Sequence, residues 1–195
     1  MTLLALAALA WLAIHVGISA SGLRAPMLRA LGANAYRGVY SLLSVAAFVA
    51  LIWAFRRADP VLLWVLPAWG YYVLAAAMLA SFVLFAGSVS RANPVGAKPL
   101  TDAGATGMIR VTRHPMMCAT VLWALLHIIG NGELAATIFF GTWAITALAG
   151  MPAIDRRLAA NNPQSWATLR DSTSLLPFGA ILAGRNRLVL AEMPT

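Results

Sequence analysis

Five apolar runs separated by short polar stretches set the pattern of this chain, at about 3–20, 39–55, 69–87, 115–130 and 133–150. A helix that crosses the hydrocarbon core takes about 20 residues, within a range of about 17–25. Each run is therefore read as one span. Gly130-Asn131-Gly132 between the last two is turn chemistry and predicts an antiparallel hairpin. Residues 61–67 are apolar too, but Pro60 and Pro67 break the run. That stretch is read as an interfacial lead-in to the third span. The predicted fold is all-α, a polytopic transmembrane helix bundle of about five spans. It forms one domain over 1–195, with an amphipathic tail at 151–195.

Composition supports the same reading. The chain is 61% hydrophobic and only 10% charged, with a mean hydropathy of +0.79. Soluble domains sit near about 45–50% apolar and about 25% charged. Lipid is thus the first partner implied. The net charge of +8 raises nucleic acid as a partner, but no basic run interleaved with aromatics supports it. Charge speaks to topology instead. With five spans, Arg24, Arg29, Arg37, Arg91, Lys98, Arg110, Arg113, Arg156, Arg157, Arg170, Arg185 and Arg187 share one side, against Arg56 and Arg57 on the other. The positive-inside rule then predicts the N-terminus outside and the tail cytoplasmic. Nothing positive precedes the first run, so it is read as a retained span, not a cleaved signal. A single cysteine, Cys118, excludes an intramolecular disulfide.

Candidate chemistry gathers at RVTRHPMMC, residues 110–118, where Arg110, Arg113 and His114 meet Pro115 at the mouth of the fourth run. Proline suits the first turn of a helix. The free amides of that turn, with Arg110 and Arg113, predict an anion-favouring pocket for a carboxylate, a haem propionate or a phosphate. Lipid headgroups are the simpler partner for the same arginines.

All three histidines lie in or at spans, where ionisable side chains mark function. His114 and His127 are about 20 Å apart along one helix and cannot share an iron. His15 and His114 are offset by only about 7 Å in depth. They are the expected bis-histidine pair, a usual way to hold haem in a bundle. His127 is expected to make local hairpin contacts near Glu133, and Cys118 to be packing. Residues 88–112 and the stretch SLLPFGAIL at 174–182 are expected to roof a pocket over His114.

HVGISASGLR, RGVYSLLS, IRVTRHPMM, LWALLHIIGNGE, IDRR, Trp166 and TSLLPF occur in the order in which the NnrU family carries similar motifs. The resemblance runs over nearly the whole chain. It implies a multi-pass protein of the bacterial inner membrane, linked to nitrite and nitric oxide reduction. NnrU proteins are similar to the zeta-carotene isomerases, and that likeness implies haem b held by His15 and His114 and isomerase-like action on a hydrophobic small molecule. A more distant likeness, to isoprenylcysteine carboxyl methyltransferases, implies S-adenosylmethionine as the alternative cofactor. Asp155-Arg156-Arg157 and Trp166 depart from the tail those enzymes carry. A non-catalytic accessory factor for respiratory enzymes is the remaining expectation.

Overall fold

The computed structural model describes residues 1–90 and 104–192. Asn93-Pro94 and Gly96, part of the expected roof, and the topology markers Arg91 and Lys98 lie outside the described residues. The elements among the described residues are helices, in the order α1 (Thr2–Leu12), a π-helical turn (Ala13–Ser19), α2 (Arg24–Leu31), α3 (Ala33–Arg56), α4 (Ala68–Ser90), a 3-10 turn (Gly107–Arg110), α5 (Pro115–Asn131), α6 (Leu134–Asn161), α7 (Pro163–Ser172), α8 (Gly179–Leu182) and a last 3-10 turn (Leu190–Glu192). Four stretches are long and apolar enough to cross a membrane: Thr2–Ser19, Ala33–Arg56, Ala68–Val89 and Leu134–Asn161. The fifth, α5, has 17 residues, the lower end of the range of about 17–25 that spans hydrocarbon. The protein is an all-helical, multi-pass membrane protein.

Two expected boundaries move. α3 begins at Ala33, well before the apolar run, because Tyr36 is buried and stacks on Tyr40 at 5.8 Å. α6 continues through Pro152 to Asn161, past the expected end at 150. Its last turns are rich in alanine, leucine and arginine, all strong helix formers. Leu158 and Ala159 pack there against Ala105, Ile109, Trp166 and Leu169.

The described residues pack as two units, Met1–Leu74 with Ala124–Gly150 and Ala75–Trp123 with Met151–Thr195. In the first, Leu4, Ala7, Ala8 and Trp11 make one stripe of α1, and Ala47, Leu51 and Ala54 one stripe of α3. Small residues at helical spacing let two backbones approach closely, which drives association where lipid is as apolar as leucine. Trp11 Nε1–H donates to Thr146 Oγ1 at 3.0 Å, and Thr146 Oγ1 donates to the Thr142 carbonyl at 2.8 Å. Residues 61–64 run extended against the α5–α6 turn. The N–H groups of Leu63 and Trp64 donate to the Gly132 carbonyl at 2.8 and 3.2 Å, and Leu134 N–H donates to the Val61 carbonyl at 2.9 Å. Three backbone groups of the proline-bounded lead-in are thus paired with the turn between the two helices.

In the second unit, Ser81 Oγ donates to the Ala119 carbonyl at 2.9 Å, tying α4 to α5. Residues 174–182 fold back on the segment before α5: Arg113 N–H donates to the Ser174 carbonyl at 2.8 Å and Phe178 N–H to the Val111 carbonyl at 2.7 Å.

Candidate functional site

The RHP step sits in the second unit at the start of α5, and the chemistry around it is buried. Arg113 is 6% exposed and His114 2%. At that depth a charged group needs a partner, and α6 supplies it. Arg113 Nη2 donates to Asp155 Oδ2 at 2.7 Å and Nε to Oδ1 at 3.2 Å, a two-pronged fork of the kind guanidinium makes with carboxylate. Nη1 donates to Thr173 Oγ1 at 3.0 Å. The guanidinium carbon lies 4.9 Å from the centre of the Trp166 ring, within cation–π range. His114 Nε2 bonds Asp155 Oδ1 at 2.7 Å. One carboxylate therefore holds both an arginine and a histidine that neighbour each other in sequence. With Nε2–H as the donor, the lone pair of His114 is left on Nδ1, beside the ring's own Cβ. Thr112 Oγ1 donates to the Leu175 carbonyl at 2.8 Å and lies 3.3 Å from Cys118 Sγ, so Cys118 is a buried packing residue with a weak polar neighbour.

Arg110 closes a second contact in the same unit. Its Nε and Nη2 donate to Glu192 Oε2 and Oε1 at 2.8 and 2.9 Å, and Nη1 donates to Asn186 Oδ1 at 2.9 Å. Glu192 Oε2 also accepts Gly107 N–H at 2.8 Å. The Glu192 hydrogen bond holds the Arg110 guanidinium above its ordinary range. Arg110→Ala should release the last turn, at a cost of about 1 kcal/mol for so open a pair. Limited proteolysis checks it. Faster cleavage between 183 and 192, with the rest of the chain intact, is the expected result, and unchanged cleavage would show that the latch is idle.

His15 belongs to the first unit, on the π-helical turn. Its Nδ1–H donates to the Trp11 carbonyl at 3.1 Å, and its own carbonyl accepts Ala20 N–H from five residues on, at 3.2 Å. π-turns are rare and concentrate at functional positions. The ring stacks on Trp11 at 3.9 Å and meets the edge of Tyr40 at 5.7 Å. Trp11 in turn packs on Trp143 at 4.9 Å. With Nδ1 committed to a carbonyl, Nε2 carries the lone pair. That tautomer, fixed by a backbone acceptor, is how metal-binding histidines are usually oriented.

The expected residues thus fall into separate arrangements. Arg113 and His114 meet at Asp155, Arg110 meets Glu192, and His15 lies in an aromatic nest. His127 stacks on Phe140 at 4.5 Å. No group of three or more His, Cys, Asp or Glu side chains suited to a metal ion occurs among the described residues. Asp155 and Glu192 were not singled out by the sequence as partners of the arginines. The usable signal was scarcity, since the chain has only six acidic residues and two arginines at a span entrance call for carboxylates.

A model of a protein family, described as NnrU protein, matches residues 3–192. Two curated relatives are similar over part of the chain. The chloroplastic 15-cis-zeta-carotene isomerase of Zea mays is 36% identical over 100 residues, and that of Arabidopsis thaliana 37% identical over 92. Each match takes in 47% of this chain and 25% of the relative, so the matched region is a quarter of those proteins' length. No solved structure matches.

Proposed function

The chain belongs to the NnrU family, and on that premise we propose that it is a membrane protein that binds haem b through His15 and acts, isomerase-like, on a long apolar substrate. The observation that carries this reading is the state of the His15 ring. Its Nδ1–H is spent on the Trp11 carbonyl, so Nε2 is the nitrogen free to bind iron. The nest of Trp11, Tyr40 and Trp143 would keep water from the ring and offer flat π faces to a conjugated chain. The relatives' name, 15-cis-zeta-carotene isomerase, puts extended polyenes first among substrates to try. Haem bound there would supply a redox-active iron with Lewis acidity. The same property would suit the link to nitrite and nitric oxide reduction that the family name carries.

His114 fits an iron ligand less well as it stands. Its Nε2 is held by Asp155, and the residue is only 2% exposed. Ligation through Nε2 would require the carboxylate to let go. In the arrangement described, His114 completes the Arg113–Asp155 cluster and positions it.

The test is a spectrum. Protein purified after haem supplementation should show a Soret band that His15→Ala removes and that His15→Gly regains with added imidazole. A colourless wild-type protein, or a full band in His15→Ala, would overturn the reading. Thermal unfolding of each variant separates loss of haem from loss of fold.

A further inference from the structure

A cleft of 500 Å³ lies on α3, lined by Val49, Ile52, Trp53, Arg56 and Arg57. These positions recur every three or four residues, so they form one face of the helix. It is not the face that packs. Ala47, Leu51 and Ala54 turn toward the core, whereas Val49 is 59% and Trp53 46% exposed. The cleft is apolar at one end and cationic at the other. Arg57 caps the aromatic part, its guanidinium carbon 4.3 Å from the centre of the Trp53 ring. Neither Arg56 nor Arg57 forms an ion pair among the described residues.

Their position in the chain sharpens the point. Between Arg37 and Arg91 the sequence carries no other cation. Two adjacent arginines at the end of a helix that crosses lipid, both lining one cleft and paired with no carboxylate among the described residues, call for an anion from outside the protein. An apolar wall that leads to them calls for an acyl chain below that anion. Tryptophan at the junction is the residue that favours the headgroup level.

We propose that this cleft binds an anionic phospholipid, with the phosphate against Arg56 and Arg57 and an acyl chain along Val49, Ile52 and Trp53. The volume lies within the range of about 300–1,000 Å³ usual for ligand sites. The site is independent of the haem reading, because none of its residues belongs to the His15 nest.

Native mass spectrometry of the full chain in detergent, offered equal amounts of dioleoylphosphatidylglycerol and dioleoylphosphatidylcholine, tests it. The wild type should retain the anionic lipid in preference, and each arginine should contribute about five-fold to that preference. Arg56→Gln with Arg57→Gln should abolish it, whereas Arg24→Gln with Arg29→Gln should leave it in place. Substitutions on this exposed face should leave the unfolding temperature unchanged, which keeps the lipid readout separate from stability. Equal retention of the two lipids by the wild type, or a preference that survives the double Arg56 and Arg57 variant, would overturn the proposal. Displacement of the lipid by glycerol 3-phosphate alone would overturn the acyl-chain part.

Discussion

Asp155→Ala is expected to cost about 3–5 kcal/mol of stability, the usual loss when one partner of a buried ion pair is removed. The size follows from what is left behind. Arg113 and His114, 6% and 2% exposed, would lose the carboxylate that accepts two guanidinium bonds and one imidazole bond. Thr173 and the Trp166 face would remain, but neither neutralises a charge. The informative companion is the double variant Asp155→Leu with Arg113→Met. A buried pair replaced by apolar residues of similar size is often close to neutral, so this variant should recover most of the loss. Unfolding in detergent, followed by tryptophan fluorescence, measures both. A single variant that loses less than about 1 kcal/mol would mean that water reaches the cluster and screens it.

Gly132→Ala should be nearly as damaging, for a backbone reason. Gly132 has φ +66, and a Cβ built there would lie 2.0 Å from the Trp64 carbonyl oxygen. The left-handed conformation alone costs a residue with a Cβ about 1–2 kcal/mol. The clash adds more, because the obstacle is backbone and cannot rotate away. Residues 63–64 must retreat, and the two N–H bonds to the Gly132 carbonyl go with them, at about 0.5–1.5 kcal/mol each. Together the loss should reach about 3–4 kcal/mol by these terms. Gly141 supplies the contrast, since a Cβ there meets nothing within 4 Å. Gly141→Ala in the same helix hairpin should be neutral or stabilising by up to about 1 kcal/mol. Equal melting of the two variants would show that residues 61–64 are not held against the turn.

The spans were legible because lipid imposes a simple rule, about 20 apolar residues for each crossing. Four of the five runs reappear as long helices and the last hairpin turns where Gly130-Asn131-Gly132 says it should. The continuation of α6 was not legible, because polar residues after 150 suggested an end. What holds those turns is the packing of Leu158 and Ala159 and a carboxylate whose partners lie some forty residues earlier. Pairings at such separation leave no local trace. For the same reason Arg110 and Arg113 were expected to meet a cofactor or headgroups, and in the structure each meets a carboxylate of its own chain. The π-turn at His15 was equally hidden, since it accompanies a ring-to-carbonyl bond that no periodicity announces. The histidine itself was visible, as a titratable group inside an apolar run.

The pairing of Leu62 with Glu133 has a consequence for how the protein is made. The extended stretch leaves the ribosome about 70 residues before its partner, a wait of about 4–14 s at about 5–20 residues per second. During that interval the N–H groups of residues 63 and 64 and the Val61 carbonyl have no protein partner and favour water over hydrocarbon. The entrance to α4 is then expected to stay in contact with water until its partner is made. It becomes fixed only when the α5–α6 hairpin arrives, so a late element sets the seat of an earlier one.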